Sequence, residues 1–313
     1  MISPSRPGPQ ADRAELPTRW GAQAPVAVAA SPFTDRRRRT DVLRSRHAFA
    51  REPLDFYGAL LGVQEHAYEE AISARPPAHD LVAYAAEVVV PAVVDASLAA
   101  GPAMLRDSVA KRLETNDPRE FIAGWIQGDE QTMVDRFLAR ASVGPVLEAL
   151  GPEAGASCAG VRDHLHCPSC GGPPQLSYFA LPSEDLASGG RFLLCARCHG
   201  SWGYARMTCP GCGEDSSSRL PIFSEEGTAS GERGSVVRGL EGRLGDHRAA
   251  AGKAVFPHVR IEGCETCRRY LLSVDLAADP TAVPVVDELA ALPLDLYARE
   301  RGFSKIIPNL MGF

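Results

Sequence analysis

Two short stretches decide the fold because they repeat one phrase, Cys167-Pro-Ser-Cys170-Gly171 and Cys209-Pro-Gly-Cys212-Gly213. A Cys-x-x-Cys turn, or knuckle, holds two thiolates on one side of a tight loop. Two knuckles brought together by a hairpin therefore supply the four sulfurs of a tetrahedral metal site. Glycine after the second cysteine allows the positive φ that turns backbone N–H groups toward the sulfurs. Both stretches are typical of a metal knuckle.

Two further Cys-x-x-Cys pairs bring the number of cysteines in knuckles to eight of the nine in the chain. Each half of this region has the order knuckle, strand, strand, knuckle, strand, as judged from its apolar alternation. A crossed pairing, outer knuckles together and inner knuckles together, stays open at this point. The repeat predicts two tandem metal ribbons, the first with ligands Cys167, Cys170, Cys195 and Cys198, and the second with Cys209, Cys212, Cys264 and Cys267.

Other uses of paired cysteines fit the chain less well. Disulfides are disfavoured because the N-terminus does not resemble a secretory signal. A thioredoxin-type dithiol needs one Cys-x-x-Cys at a strand-to-helix turn, whereas four copies lie here among short strands. An iron–sulfur cluster also takes four thiolates, but paired hairpins suit a single ion better. Because a ribbon of about fifty residues buries too little apolar surface to fold alone, the metal is expected to hold the fold.

Residues beside the knuckles are candidates for supporting roles. His164, His166 and His199 are expected to hydrogen-bond a sulfur or to face solvent, because each site already has four thiolates. Cys158, the unpaired thiol, is predicted to be a small buried residue. The sequence contains no Ser/His/Asp grouping, phosphate loop or dinucleotide fingerprint. We therefore predict no catalytic residues, no cofactor-binding residues beyond the metal ligands, and no enzymatic activity.

The predicted fold class is α+β, with an N-terminal all-α helical domain, two tandem rubredoxin-like (zinc-ribbon-like) metal-binding domains and a C-terminal helix. At 313 residues, the chain is long enough for two or three folding units. Its net charge of −6 argues against a general polyanion binder. The predicted boundaries are a disordered arm at 1–33, a helical domain at 34–155, ribbons at 156–208 and 209–281 with an insertion at 224–254, and a C-terminal segment at 282–313.

Helical periodicity dominates the region before the knuckles. The first helix is expected to start near Thr34 or Asp35, with Arg36 to Arg39 on its solvated face and Val42, Leu43, Ala48 and Phe49 buried. Further helices are predicted at 53–72, from Asp80 toward Gly101, and at 103–114, 118–126, 130–141 and 146–150. No span is expected to be long and apolar enough to cross a bilayer. The insertion is expected to be mobile, with a helical turn around Val236–Leu244, and a final helix at 285–302 is expected to kink at Pro293.

A specific string of motifs runs through the chain after residue 33. It comprises the helix around Arg51-Glu-Pro-Leu54 and Gln64, His166-Cys-Pro-Ser-Cys-Gly-Gly-Pro-Pro174, Arg191-Phe-Leu-Leu-Cys-Ala-Arg-Cys198 followed by Trp202, Cys209-Pro-Gly-Cys-Gly213, Cys264-Glu-Thr-Cys-Arg-Arg-Tyr-Leu271, Asp287-Glu-Leu-Ala-Ala-Leu292 and Asn309. In this order the motifs resemble the family of formate dehydrogenase accessory protein FdhE. The Pro-rich arm, the insertion, Glu288 and Pro293 depart from the family pattern.

The resemblance implies a cytoplasmic assembly factor with rubredoxin-like domains associated with iron. It implies a partner, the catalytic subunit of a molybdenum formate dehydrogenase, and neither a nucleic acid nor a membrane. The two four-cysteine sites would hold iron as in the family, or zinc, and a homodimer stays open. The residues alone leave two other classes of function open. One is a zinc-ribbon nucleic-acid binder, and the other is a rubredoxin-like electron carrier.

Overall fold

Helices and one sheet make up the computed structural model, which describes residues 31–114, 117–181, 189–225, 235–237 and 254–313. The mixed helix-and-sheet class predicted above is confirmed. A π-helical turn, Ala85–Val89, joins the third and fourth helices. The helices are α1 (Pro32–Arg46), α2 (Arg51–Ala74), α3 (Leu81–Tyr84), α4 (Val90–Ala100), α5 (Ala103–Leu113), α6 (Pro118–Gln127), α7 (Met133–Gly155), α8 (Pro284–Ala290) and α9 (Leu292–Glu300).

The strands from both predicted ribbons lie in one sheet. They are β1 (Pro174–Phe179), β2 (Arg191–Cys195), β3 (Ser201–Gly203), β4 (Ile222–Glu225), β5 (Ser235–Val237), β6 (Val259–Gly263), β7 (Arg269–Asp275) and β8 (Ser304–Lys305). The order is β3-β2-β1-β7-β6-β4-β5, with β8 beside β7. Within each ribbon the knuckle-bearing strands pair antiparallel, and the two ribbons join through parallel pairing of β1 with β7, where Ser177 lies opposite Ser273.

The start of α1 differs from the prediction. Ser31 caps the helix, since its side chain accepts a hydrogen bond from the backbone of Phe33. Phe33, which we assigned to the disordered arm, is fully buried. The rest of the predicted arm, residues 1–30, lies outside the described residues. Helix α1 therefore begins at Pro32 and is anchored by a buried aromatic side chain.

The exposure pattern along α1 is also different. Leu43 is buried as predicted, but Val42 is only partly buried, and Ala48 and Phe49 are exposed. Arg36 and Arg39 are 7% and 4% exposed, so the prediction of one solvated arginine face is wrong. A run of four arginines usually indicates a solvated face of a helix. Two of these arginines are buried because carboxylates from other parts of the chain neutralise their charges.

Helix α7 is continuous where we predicted two helices, 130–141 and 146–150, and Pro145 lies inside it. Pro145 has no N–H to donate to the carbonyl of Ala141. The side chain of Gln64 in α2 donates to that carbonyl instead, over 3.3 Å. The helix departs from helical geometry only at Gly151, where φ is 68°. A buried amide from a neighbouring helix thus compensates for the proline.

The insertion and the C-terminal helix need smaller corrections. Ser224 and Glu225, which we assigned to the insertion, belong to β4. Residues 235–237 form a strand parallel to β4, which overlaps the start of the helical turn predicted around Val236–Leu244, and the rest of that turn lies outside the described residues. The remainder of the insertion, 226–234 and 238–253, lies outside the described residues. The C-terminal helix is two helices, because Ala291 ends α8 and Pro293 occupies the first turn of α9. Gly302 has φ of 77°, as expected of a residue just past a helix end.

Two hydrophobic clusters hold the described residues together, and both draw on helices and strands. One contains side chains of α2 and α4 to α7 together with all four cysteines of the first knuckle pair. The other joins α1 and α2 to β4, β6, β7, α8 and α9. The division into domains stays a prediction, but the apolar cores do not stop at its boundaries.

One stretch, Ala78–Ala100, is long and apolar enough to cross a membrane by length and composition. Our expectation that no stretch reaches this length is therefore wrong. In the fold, 44% of its most apolar window is buried. Val90 and Val93 on its second half lie in the cluster shared with α2 and α7. One face of the stretch thus packs into the core, and the core helix of a protein passes the same test of length and composition.

Candidate metal centres

The eight knuckle cysteines gather into two groups of four thiols. In the first group, Cys167, Cys170, Cys195 and Cys198, all four sulfurs lie within 4.8 Å of one another. The second group, Cys209, Cys212, Cys264 and Cys267, meets the same limit. The structure thus places the thiols in the matched arrangement and not in the crossed one. Their role as metal ligands stays a prediction.

The sulfur spacing fits a tetrahedral metal ion. In the first group the Sγ atoms of Cys167 and Cys198 are 3.7 Å apart, and those of Cys170 and Cys195 are 3.4 Å apart. The corresponding distances in the second group are 3.8 Å and 3.7 Å. A disulfide needs about 2.0 Å, whereas four sulfurs at about 2.3 Å from a central zinc lie about 3.8 Å apart. Both groups therefore have room for an ion and not for S–S bonds.

Backbone conformation places the sulfurs. Each knuckle is followed by a residue in the left-handed region, with φ of 68° at Gly171, 56° at His199, 79° at Gly213 and 57° at Arg268. The two glycines were expected from the sequence, but His199 and Arg268 were not, because they are not glycine. Backbone N–H groups turn toward the sulfurs at each site. At the first site the backbone N–H of Arg197 donates to Cys195 Sγ over 3.3 Å, and at the second site the backbone N–H of Gly211 donates to Cys209 Sγ over 3.3 Å. These bonds stabilise negative charge on the sulfurs.

Gly172 shows how closely the first site is packed. A Cβ at this position would lie 2.8 Å from the sulfur of Cys195 and 2.9 Å from the Cβ of Arg197. Neither contact is possible without moving the site. The second glycine of the Cys-Gly-Gly phrase is therefore required by close approach of the backbone to the thiols.

Arg197, inside the second knuckle, joins the first site to the helices. It is 2% exposed and donates to the carbonyls of Ala159 and Cys170 over 2.9 and 2.8 Å. Its guanidinium lies 5.6 Å from the ring of Trp125 in α6, which Arg140 of α7 also contacts at 5.7 Å. Our sequence reasoning missed this residue, and only its place between the two cysteines of a knuckle could have drawn attention to it.

His199 connects the same site to α7 and α1. Its Nδ1 lies 2.9 Å from Glu148, which also accepts two hydrogen bonds from Arg36. Burial alone would raise the pKa of Glu148, but the charges and hydrogen bonds of His199 and Arg36 outweigh it and lower the pKa to about 2. Glu148 is therefore an anion at neutral pH, and it fixes the imidazole of His199 through this contact. The prediction that His199 bonds a sulfur or faces solvent is therefore wrong, because its partner is a buried carboxylate.

The two sites differ in exposure. All four cysteines of the first group are buried, whereas Cys212 of the second group is exposed and Cys267 is half-buried. Near the second site, Tyr204 donates to the carbonyl of Cys209 over 3.2 Å, and Thr266 donates to Glu214 over 2.6 Å. The first site is thus part of the core, while the second lies at the surface.

The other candidate residues lie outside both thiol groups. His166 contacts Asp163 at 2.7 Å, and His164 is exposed. Cys158 is 2% exposed, and burial raises its pKa to about 11, so it is a small buried residue as predicted.

His258, Asp279 and Asp287 form a third cluster of metal-ligating types that the sequence did not suggest. The guanidinium of Arg39 already occupies it, with bonds to Asp287 and a 2.7 Å bond to Asp279. His258 lies 2.7 Å from the same Asp287. The positive charge that these carboxylates require is therefore supplied by Arg39 of α1.

We expect a chelator to remove metal from the two sites in two steps, because only the second site is exposed. Protein loaded with two equivalents of zinc or iron should lose one equivalent early and the other much more slowly. The measurement is metal release to a colorimetric chelator over time. A Cys212→Ser variant is expected to lack the early phase and keep the slow one. Simultaneous loss of both ions would contradict the difference in accessibility.

The resemblance inferred from the motifs is confirmed by comparison with known families. Residues 244–311 match the family model described as FdhE, C-terminal domain. This region includes the knuckle Cys264/Cys267, the helices α8 and α9, and Asn309.

Known relatives carry the same name. The chain is 33% identical over 150 residues to a protein FdhE homolog of Aquifex aeolicus, covering 47% of this chain and 42% of the relative. It is 31% identical over 162 residues to a protein FdhE homolog of Pseudomonas aeruginosa, covering 52% of this chain and 44% of the relative. The alignments therefore span less than half of each relative.

A crystal structure of the FdhE protein from Pseudomonas aeruginosa has a similar fold. The TM-score is 0.57 at 20% sequence identity, over 90% of this chain and 96% of that one. At this identity the likeness is one of fold alone. The chain thus combines an FdhE-like fold with two groups of four thiols that suit metal ions.

Proposed function

We propose that the protein is an accessory factor for the assembly of formate dehydrogenase. In this proposal it binds the catalytic subunit of a molybdenum formate dehydrogenase during maturation in the cytoplasm, and it does not turn over a substrate of its own. The observation that carries the proposal is the matched pair of four-thiol sites within an FdhE-like fold.

The metal ions would stabilise the surface that meets the client. Cys167, Cys170, Cys195 and Cys198 would hold one ion within the core, and Cys209, Cys212, Cys264 and Cys267 would hold the other near the surface. A tetrathiolate site supplies folding free energy whether the ion is zinc or iron. Inward-turned N–H groups and the buried Arg197 balance the charge of the sulfurs at the first site.

The test is deletion of the gene in a host that makes a molybdenum formate dehydrogenase and has no second copy. Formate-dependent dye reduction is expected to fall to a small fraction of the wild-type rate, while the transcript of the catalytic subunit stays unchanged. Re-expression of the intact chain should restore activity. The purified chain should also bind the purified catalytic subunit weakly and in a salt-sensitive manner, as expected of a transient complex. Normal formate oxidation in the deletion strain would contradict the proposal.

A rubredoxin-like electron carrier is a second candidate, favoured by the exposure of Cys212 at the second site. Iron held by four thiolates there would be reached by a redox partner over a short distance. An anaerobically purified, iron-loaded chain would then show a coloured spectrum that bleaches and recovers with a one-electron reductant and oxidant. A spectrum that does not respond would remove this candidate and leave the assembly role untouched.

A further inference from the structure

An open apolar groove of about 610 Å³ lies among the N-terminal ends of three helices. Its walls are the first turns of α2, α5 and α7, together with the chain end 308–313. Its volume is within the range of protein binding sites, roughly 300–1,000 Å³. The metal centres do not contribute to its lining. The groove is therefore a feature separate from the sites described above.

Buried aromatic side chains form the floor of the groove, and exposed, flexible side chains form its rims. Phe56 and Phe137 form part of the floor, with ring centroids 5.9 Å apart, and both are buried. Met104 and Met133 stand at the rims and are 85% and 68% exposed. Exposed methionines are costly in water, and their flexible side chains suit surfaces that receive an apolar helix. The arrangement resembles a binding surface more than an incomplete core.

The chain end forms a preformed wall of the groove. The side chain of Asn309 accepts hydrogen bonds from the backbone of Met311 and Phe313 over 3.0 and 3.1 Å. Arg140 donates to the carbonyl of Pro308, and Arg299 donates to that of Gly312 over 3.3 Å. These bonds fix the wall before any partner arrives, so that binding does not have to order it.

The accessible cation of this apolar groove is Arg136, because Arg140 is only 5% exposed. Arg136 and Arg140 line it together with one acidic residue, Glu52. Among the described residues, Arg136 donates only to the carbonyl of Gln131, and Arg140 donates to carbonyl oxygens, so neither has a direct carboxylate partner. The chain as a whole carries a net charge of −6. Arg136 therefore favours a partner segment that brings a carboxylate to it.

We propose that the groove binds an apolar helical segment of a partner protein in which at least one Asp or Glu faces Arg136. The proposal rests on the assembly role inferred above and assigns the partner segment to the client catalytic subunit. The N-terminal residues 1–30 of this chain are a poorer occupant, because they contain three arginines and only two acidic residues. We therefore assign the complementary charge to a segment of another protein.

The test measures binding of the full-length, metal-loaded chain to the purified catalytic subunit. Arg136→Glu is expected to raise Kd by about tenfold or more, because it replaces attraction with repulsion at the centre of the contact. Lys111→Glu, an equal change of charge on the exposed face of α5, should leave Kd within about twofold. Met104→Glu should also weaken binding by about tenfold, and its 85% exposure makes it safe for folding.

A photo-crosslinking residue at position 133, with position 161 as the control, identifies what occupies the groove. The expected product from position 133 is a cross-link to an apolar, acidic segment of the catalytic subunit, with none from position 161. Unchanged affinity of both glutamate variants, or a cross-link to residues 1–30 or to a second copy, would overturn the groove assignment while leaving the assembly role standing. Failure of the unaltered chain to bind the subunit would overturn both.

Discussion

The double variant Cys170→Ser/Cys195→Ser is expected to lose the folding of the helices as well as that of the first ribbon. Both thiols are fully buried, and both lie in the hydrophobic cluster that contains α6 and α7. A tetrathiolate ion contributes about 10–16 kcal/mol, which matches or exceeds the whole stability of a typical domain, about 5–15 kcal/mol. Far-UV circular dichroism should show loss of helix at room temperature, and metal analysis should show loss of the ion held by the first site.

The matched control is Cys212→Ser/Cys264→Ser, which removes the equivalent thiols from the second site. Cys212 is exposed, and neither thiol belongs to the cluster of α6 and α7. We expect one ion to remain and most of the helical signal to persist, while proteolysis increases around β4 and β6. Retention of full helix content in Cys170→Ser/Cys195→Ser would contradict the shared core and support independent ribbons.

The site was predictable because its chemistry is local in sequence. The spacing within each Cys-x-x-Cys pair and the order of strands between pairs indicated which thiols meet. The positive φ at Gly171 and Gly213 followed from residue type, since only glycine adopts it without strain. His199 and Arg268 take the same conformation, and their side chains gave no sign of it.

Contacts between distant parts of the chain were not predictable. Arg39 is buried because it meets Asp287, which lies 248 residues further along the chain. Arg36 is buried because it meets Glu148. A run of arginines carries no information about which of its members has such a partner. The hydrogen bond from Gln64 to the carbonyl of Ala141, which lets α7 continue past Pro145, was not predictable for the same reason.

A buried ion network lies at the junction of the sheet and the C-terminal helices. The Nζ of Lys305 lies 2.7 Å from Glu288 Oε1 and 3.0 Å from Asp295 Oδ1. Both carboxylates are fully buried. Tyr270 donates to Asp295 over 2.8 Å, and Gln175 donates to Glu288. Burial raises the pKa of Glu288, since it disfavours the charged form, and Lys305 opposes that rise.

Lys305→Met should therefore lower the free energy of unfolding by about 3–5 kcal/mol, because it leaves two buried carboxylates without their cation. The melting temperature should fall by roughly 10 °C. Lys111→Met, at an exposed position, should change stability by no more than about 0.5 kcal/mol. Adding Glu288→Gln to Lys305→Met should recover part of the loss, since one uncompensated charge is then removed while the amide keeps its size. If the double variant is instead less stable than Lys305→Met alone, Glu288 contributes through hydrogen bonds such as that from Gln175 rather than through its pairing with Lys305.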